Sequence, residues 1–226
     1  MDLEFTSLAR VEAAVVSCRT CPRLVAWREH VAATKRASFQ EWEYWGRPVP
    51  GFGDPKARIV TVGLAPAAHG ANRTGRMFTG DRSGDWLFAS LHRVGIANQP
   101  TATHVGDGLE LRGLWMSAPV KCAPPQNKPT IEERDACQRF LVHELALLDA
   151  RVIVALGAFG WDAVLRVLRW DGRKPRFGHA AEATAASGHV LLGCYHPSQH
   201  NTFTGRLTED MTDAVFQRAK QLAGLS

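Results

Sequence analysis

Residues 59–81, IVTVGLAPAAHGANRTGRMFTGD, decide the fold that we predict for this chain. The stretch begins with the β-branched apolar run IVTV and then changes abruptly to glycine, alanine, proline and polar residues. A short apolar run bounded by turn residues is typical of a buried strand, here followed by a loop. Ligands bind beyond the carboxyl ends of strands in open α/β sheets, so this loop is the first candidate site. A polar connection without function is the alternative that the segment alone leaves open.

The same strand pattern recurs along the chain. Apolar runs at 114–120, 152–156 and 189–195 predict further strands, and residues with helical spacing lie between them. Thr130 followed by Glu133 is a capping-box pattern that predicts the start of one of these helices. Strands that alternate with helices favour a parallel sheet covered on both faces. We therefore expect one α/β domain that spans residues 1–226.

Composition narrows the class of partner. The chain has 226 residues, with 27 Lys plus Arg against 22 Asp plus Glu, a net charge of +5 and an isoelectric point near 9.2. This balance favours a polyanionic partner, although a merely basic protein is equally compatible with it. The first residues, MDLEFTSLARVE, are acidic and amphipathic, unlike a signal peptide, and no apolar run is long enough to cross a membrane. We expect a cytoplasmic protein.

Five cysteines in a cytoplasmic protein argue against a disulfide framework and indicate metal or redox chemistry. Cys18 and Cys21 form a C-x2-C pair at a helix junction, and Cys122 and Cys137 are separated by fourteen residues. These four supply enough thiolates for an iron–sulfur cluster, which we rank first, before zinc and before unrelated buried thiols. The fifth, Cys194, lies in a predicted strand and is expected to be a core thiol.

Three loops are expected to share one site. The loops at 65–81, 121–129 and 196–206 each follow a predicted strand and carry small or polar side chains. Because the carboxyl ends of parallel strands meet at one edge of the sheet, these loops should converge there.

The sequence resembles a uracil-DNA glycosylase of the iron–sulfur branch of that superfamily, most closely its type-five family. The resemblance spans nearly the whole chain, and its motifs are the four cysteines, GLAPAAHGANRTGRMFTGD at 63–81, KCAPPQNKPT at 121–130 and HPSQHNTFTGRLT at 196–208. It implies an α/β fold with a four-stranded parallel sheet sandwiched between helices. It also implies one 4Fe-4S cluster, held by Cys18, Cys21, Cys122 and Cys137, and monofunctional hydrolysis of the bond between a damaged base and deoxyribose.

The sequence departs from the superfamily pattern at residues that position water and at residues that select the substrate. Most other members carry a carboxylate or amide near the start of the first motif to position water, whereas this chain has Ala65. It also has Ser117 and Ala118 where relatives often have an Asn that reads the uracil edge. The resemblance therefore implies a broad range of deaminated bases that includes uracil, hypoxanthine and xanthine.

The resemblance also assigns roles to single residues. Phe78 would stack on a flipped base and His196 would stabilise the departing base, with a core Phe and a structural His as alternatives. Asn127 would hold water, unless it serves loop geometry, and Asp81 would either stabilise the sugar cation or cap a helix. The other expected base-contacting residues are Gly63, Leu64, Ala65, Ala67, His69 and Asn72. The expected DNA contacts are Arg73, Arg76, Lys128, Ser198, Gln199, Asn201 and Arg206, with Lys121 as a further basic residue near the site.

Two other functions are alternatives to a DNA glycosylase. A non-catalytic iron–sulfur module that binds nucleic acid stays possible because the usual water-activating residue is absent. A zinc-stabilised nucleotide-binding enzyme has little support, since neither a Walker lysine pattern nor G-x-G-x-x-G follows the first strand. We expect the partner to be double-stranded DNA with a deaminated base, or single-stranded DNA with the same lesion, bound by a monomer.

Overall fold

The computed structural model describes residues 5–225, which form one sheet with helices on both faces. The strands are β1 (Phe52–Gly53), β2 (Ile59–Val62), β3 (Leu114–Ser117), β4 (Val152–Leu156), β5 (Glu182–Thr184) and β6 (Val190–Cys194). The α-helices are α1 (Leu8–Val16), α2 (Pro22–Thr34), α3 (Ala71–Thr74), α4 (Arg82–Arg93), α5 (Ile131–Leu147), α6 (Ala158–Val167), α7 (Gln199–Phe203) and α8 (Glu209–Ala223). Within the described residues, no helix has the length and apolar character that spanning a membrane requires.

The sheet has the strand order β1-β3-β2-β4-β6-β5. The four inner strands, β3, β2, β4 and β6, are parallel to one another, as the sequence predicts. The two outer strands, β1 and β5, run antiparallel to their neighbours, so the sheet is six-stranded and mixed rather than four-stranded and parallel. These edge strands are only two and three residues long and carry no buried apolar run, so the sequence gives no periodic signal for them.

Each inner strand divides its side chains between two cores. On β2, Ile59 packs in the cluster that contains apolar residues of α4 and α8. Val60 and Val62 pack in the cluster on the opposite face, which contains apolar residues of α5 and α6. All four residues of β2 are buried, which is typical of a parallel strand covered on both faces.

Local sequence signals set the starts of the helices. The predicted capping box is confirmed at α5, where Thr130 accepts a hydrogen bond from the Glu133 backbone and Glu133 accepts one from the Thr130 backbone. At α2, Cys21 occupies the N-cap position and Pro22 follows it at the first helical position. The C-x2-C pair therefore lies at the junction of α1 and α2, as expected.

A buried ion pair fixes the path of the chain after β3. This strand ends at Ser117, three residues before the predicted end at Val120. The chain turns there, and the ammonium group of Lys121 lies 2.9 Å from both carboxylate oxygens of Glu144 on α5 and donates to the hydroxyl of Ser117. The side chains of Lys121 and Glu144 are 1% and 2% exposed. Lys121 is thus part of the core and is not the surface cation near the site that the sequence predicts.

We expect Lys121→Met to lower the free energy of unfolding by about 3–5 kcal/mol, because the Glu144 carboxylate would stay buried without its cationic partner, although the Ser117 hydroxyl would still donate to it. The double variant Lys121→Met/Glu144→Leu should recover much of this loss, since it removes both charges together. Urea unfolding monitored by circular dichroism measures both values. The exposed pair between Arg218 and Glu182 is the control. Arg218→Met should change stability far less, and a Lys121→Met loss no larger than that control would contradict the role of the buried pair.

Candidate active site

One cavity collects residues from all three predicted loops at the carboxyl edge of the sheet. Its volume is about 610 Å³, and it is lined by Leu64, Ala65, Pro66, Ala67, Met77, Phe78, Asp81, Arg82, Ser83, Ala118, Asn127, His196, Ser198, Gln199 and His200. A volume of this size accommodates a small organic ligand. A larger, open groove of about 900 Å³ lies beside α1, α2 and residues 44–47, but none of the predicted site residues lines it. The smaller cavity is therefore the candidate active site.

Phe78 forms one wall of this cavity in an unusual backbone conformation. Its φ angle is +53°, in the left-handed region that large side chains rarely adopt. Its ring lies near the imidazole of His196, with the ring centroids 6.2 Å apart and the planes inclined by 35°. A strained backbone at a cavity wall is typical of a residue whose side chain is held for function. The Phe78 ring thus offers an aromatic face to a planar ligand in the cavity.

Two glycines make this position of Phe78 possible. A β-carbon on Gly84, in the first turn of α4, would overlap the carbonyl oxygen of Phe78. A β-carbon on Gly63, at the end of β2, would lie 2.7 Å from the tip of the Phe78 ring. Gly63 therefore lies beneath the stacking ring and is not itself among the residues that line the cavity. Its role is to leave room for Phe78, rather than to contact the base as predicted.

His196 lies half-buried directly after β6. Burial lowers its pKa to about 4, so the imidazole is neutral at physiological pH and has one N–H to donate. The backbone around it is fixed, because its carbonyl oxygen accepts hydrogen bonds from the Ser198 backbone and from the Asn201 side-chain amide at 2.8 and 2.9 Å. Within residues 5–225 the imidazole itself makes no side-chain hydrogen bond, which leaves it free for a ligand.

Asn127 projects into the cavity from a tight turn. Both Gln126 and Asn127 have positive φ angles, of 55° and 56°, and the Asn127 backbone donates to the Pro124 carbonyl at 3.2 Å. Asn tolerates this conformation better than most residues, so loop geometry is one reason for an Asn here. The next residue is anchored as well, because Arg23 on α2 donates to the Lys128 carbonyl and to the Glu133 carboxylate.

Asp81 caps a helix and also lines the cavity. It is the N-cap of α4, where its carboxylate accepts from the Gly84 backbone at 3.0 Å, and it also lines the cavity. Burial raises the pKa of its carboxyl group, against the lowering effect of hydrogen bonds from the backbones of Gly84 and Ser83. The structure thus confirms the cap and places the same carboxylate beside the ligand space.

Arg73 and Arg76 do not form the DNA-contacting surface that the sequence predicts. Arg73 is 4% exposed, donates to the carbonyl oxygens of His69 and Gly80, and stacks against the rings of Phe39 and Trp42. Arg76 is 9% exposed and makes a two-pronged ion pair with Asp107. Both guanidinium groups are therefore used inside the protein, where phosphates cannot reach them.

Two predicted base contacts also lie behind the cavity. Asn72 is fully buried, and its amide donates to the carbonyl oxygens of Arg28 and Ala68. His69 shares a hydrogen bond with the Tyr44 hydroxyl at 3.1 Å, and burial, with Arg36 and Arg73 nearby, lowers its pKa. Neither residue lines the cavity, so the predicted base contacts are corrected to positioning roles.

The third loop presents a mixed surface. Ser198 is the N-cap of α7 and lines the cavity together with Gln199. Asn201 is predicted to contact DNA, but its side-chain amide instead donates a hydrogen bond to the His196 carbonyl oxygen. Phe203 is 69% exposed at the end of α7, and the exposed Arg206 stacks on Tyr195 at 4.7 Å. Lys128, on the second loop, is exposed as expected.

Four cysteines line a separate small cavity between α2, α5 and the second loop. Cys18, Cys21, Cys122 and Cys137 all contribute to it, and every cysteine in the described chain has a free thiol. In residues 5–225 no group of three potential ligands lies close enough to hold a single metal ion. The four thiols nevertheless converge on one cavity, as the sequence predicts for this set of cysteines. Cys194 is buried in β6, away from this cavity, as predicted.

The surroundings of the four thiols fit a negatively charged group. Arg28 is 2% exposed and donates to the Cys122 sulfur at 2.9 Å, while its Nε atom has no partner in the described protein. The Lys121 backbone donates to the Cys137 sulfur at 3.2 Å. Burial raises the pKa of Cys122 to about 11 and that of Cys137 to about 12, so a metal centre must displace protons when it binds.

Sequence reasoning missed several residues that line the active-site cavity. Pro66, Met77, Arg82 and Ser83 all contribute to its wall, beside His200, which the sequence already places in the third loop. Arg82 and Ser83 belong to the first turn of α4, so the Asp81 cap signal could have placed them near the site. The direction in which each side chain points depends on how α4 packs, which local sequence does not encode.

Comparison with known proteins gives a consistent family. Residues 50–220 match the model of the Uracil DNA glycosylase superfamily. A type-5 uracil-DNA glycosylase of Mycobacterium tuberculosis is 54% identical over 97% of this chain and 83% of its own length. A type-5 uracil-DNA glycosylase of Thermus thermophilus is 51% identical over 93% of this chain and 96% of its own length. One of Pyrobaculum aerophilum is 46% identical over 93% of this chain and 91% of its own length.

The lowered pKa of His196 predicts a dependence of stability on pH. The unfolded chain protonates this histidine below pH 6.5, whereas the folded chain resists protonation down to about pH 4, so stability should fall as the pH drops through this window. We expect His196→Gln to remove up to about 3 kcal/mol of this acid sensitivity. Urea unfolding of both proteins at pH 7 and pH 4.5 measures the difference. His200→Gln, at an exposed histidine, is the control. Equal acid sensitivity of wild type and His196→Gln would contradict the assignment.

Proposed function

The chain belongs to the uracil-DNA glycosylase superfamily and to its type-5 family, and from this premise we propose how its cavity works and how wide its substrate range is. Removal of uracil from DNA is the activity that the family membership shows. We propose that the chain also excises other deaminated bases, hypoxanthine and xanthine among them, and leaves an abasic site for base excision repair. The observation that carries the proposal is the meeting of Phe78, His196 and Asn127 in one cavity.

The cavity wall supports the broad range. Ala65, Ala67 and Ala118 contribute only methyl groups to the lining, and the main recognition surface is the Phe78 ring. Stacking on a ring tolerates several bases because every base has a π-face. Small side chains leave space for the second ring of a purine, whereas a dedicated amide at position 118 would restrict the site to one pyrimidine edge. The geometry therefore favours deaminated purines together with uracil.

We propose that His196 assists the departure of the base. When the glycosidic C–N bond breaks, its electron pair moves to the base, which develops negative charge. A neutral imidazole can donate its N–H to that charge, and the interaction is stronger in the transition state than in the bound substrate. The pKa of about 4 keeps His196 neutral, so no proton has to be lost before it acts as a donor.

Asn127 and Asp81 are proposed to act on the sugar side. The Asn127 amide can accept a hydrogen bond from water and hold it near the anomeric carbon, which orients the water without deprotonating it. The Asp81 carboxylate, when ionised, would favour the positive charge that develops on the sugar. Water then forms the new C–O bond and loses a proton to the solvent, and the departed base anion takes up a proton from the solvent in turn. A largely dissociative reaction of this kind needs little activation of water, which makes Ala65 tolerable.

We expect His196→Ala and Asn127→Ala to reduce the single-turnover excision rate from uracil-containing duplex by about 10² or more, with DNA affinity nearly unchanged. Both groups are proposed to act mainly in the transition state, so the rate constant should change much more than binding. Gln126→Asn, in the same turn, is the control and should keep the wild-type rate, because Gln126 does not line the cavity. Wild-type rates in both test variants would exclude these roles. Borohydride trapping of a covalent complex would exclude direct hydrolysis by water.

We propose that Cys18, Cys21, Cys122 and Cys137 hold one 4Fe-4S cluster. The support is their shared cavity and the buried Arg28, whose charge suits an anionic group of thiolates. The cluster would act as a cross-link between the α1–α2 junction, α5 and the loop that carries Asn127. The residues of the chain perform the base and sugar steps without it.

Cys122→Ser should lose iron and sulfide and should unfold at a lower temperature, because one of the four ligands is removed. Cys194→Ser is the matched control, since it replaces a buried cysteine outside the proposed ligand set and should keep the metal content. Metal and sulfide analysis of anaerobically purified protein, with a thermal melt, measures both. Stoichiometric zinc without sulfide in the wild-type protein would overturn the cluster, as would full iron content in Cys122→Ser.

The setting of the reaction is also a proposal. We propose double-stranded DNA as the main substrate, a monomer as the active form, a single domain over residues 1–226, and action in the cytoplasm next to the nucleoid. The exposed Phe203 and Arg206 support duplex DNA, because an apolar wedge can fill the gap that an extruded base leaves while a cation contacts phosphate. No observation favours a non-catalytic binding module over an enzyme.

A further inference from the structure

We infer that the segment of residues 173–176 is a DNA-phosphate contact surface, and we call it the basic loop. It contains the three cations Arg173, Lys174 and Arg176 around Pro175. All three basic side chains are exposed, and within residues 5–225 none of them forms an ion pair or a hydrogen bond. The inference rests on the proposed function, because it assumes that the partner of the cavity is DNA.

The backbone around the basic loop is anchored to the protein, and its charged side chains face solvent. The Trp161 indole donates to the Pro175 carbonyl at 3.0 Å. The ring of Phe177 packs against Trp161 and Tyr195, at centroid distances of 5.9 and 6.1 Å. These contacts fix the backbone on both sides of Arg176. The apolar residues thus face the protein, and the cations between them face solvent.

The same anchors place the basic loop beside the active-site cavity. The Tyr195 backbone donates to His179 at 3.3 Å, and the rings of these two residues lie 5.2 Å apart. Tyr195 directly precedes His196, which lines the cavity. The guanidinium of Arg206 also stacks on the ring of Tyr195. The basic loop and Arg206 therefore share Tyr195 as a support at the carboxyl edge of the sheet.

The charge of this surface suits DNA backbone. Three cations within four residues repel one another, and the nearby acid, Asp171, accepts a hydrogen bond from the Gly172 backbone. A fully extended segment of four residues spans roughly 10–14 Å, which is enough to contact two or three phosphates along one strand. Such contacts carry no sequence information, so the basic loop should hold damaged and undamaged DNA equally well. It would supply phosphate contacts that the buried Arg73 and Arg76 do not.

The test compares two triple variants with the same change in charge. The first is Arg173→Gln/Lys174→Gln/Arg176→Gln. The second, the matched control, is Lys56→Gln/Arg112→Gln/Arg151→Gln, which also removes two arginines and one lysine. These three residues are exposed and lie just before β2, β3 and β4, at the edge of the sheet opposite the cavity. Binding of undamaged and uracil-containing duplexes is measured at several salt concentrations, together with single-turnover excision at saturating DNA.

We expect the basic-loop variant to lose about tenfold or more in affinity near 0.1 M salt and to show a salt slope smaller by about two to three. Excision at saturating DNA should stay at the wild-type rate, and the control variant should bind as wild type. Single variants at the three positions should each reduce the slope by about one, which keeps the test valid if the triple variant does not fold.

Three results would overturn the inference. Equal weakening in both triple variants would mean that only net charge matters. An unchanged salt slope in the basic-loop variant would mean that these cations do not contact phosphates. A lower rate at saturating DNA with unchanged affinity would mean that the loop positions His196 instead. If wild-type protein binds DNA but excises no base, the proposed function fails, and the binding comparison still decides on the basic loop.

Discussion

The four inner strands are parallel, so their carboxyl ends all lie at the same edge of the sheet. The organisation of the site follows from this constraint. Strands β2, β3 and β6 end within reach of one another, and the loops after them bring Phe78, Asn127 and His196 to one cavity. No single loop contains the whole constellation. The sheet therefore acts as the rigid frame, and the loops carry the chemistry.

Close backbone packing at this edge completes the frame. A β-carbon on Gly160, in α6, would lie 2.6 Å from the Val62 carbonyl, and one on Gly157 would lie 3.3 Å from the β-carbon of His196. With Gly84 beneath the Phe78 carbonyl, these positions let helices and loops approach the strand ends more closely than side chains would permit. The positive φ angle of Phe78 occurs within this close packing, which is where a strained backbone can be maintained.

The sequence predicted the parts of this architecture that depend on local patterns. Apolar runs gave the four inner strands, and the Thr130 cap gave the start of α5. The sequence could not predict that the guanidinium groups of Arg73 and Arg76 are buried. Their partners, Phe39, Trp42 and Asp107, are distant in sequence. A charged residue in a glycine-rich loop has the same local signature whether it faces solvent or a buried acceptor, so only the tertiary structure distinguishes the two.

The position of Arg73 has a consequence for how the enzyme responds to its surroundings. Its guanidinium is held by two aromatic rings and by the carbonyl oxygens of His69 and Gly80, and none of these four groups gains or loses a proton at ordinary pH. Because the Arg73 side chain is itself buried, dissolved ions screen its contacts little. The geometry of the loop that carries Phe78 should therefore be nearly constant across the acidity and ion concentrations that a cell experiences. Changes in those conditions would alter how long the protein stays on DNA, but not the shape that it offers to a base.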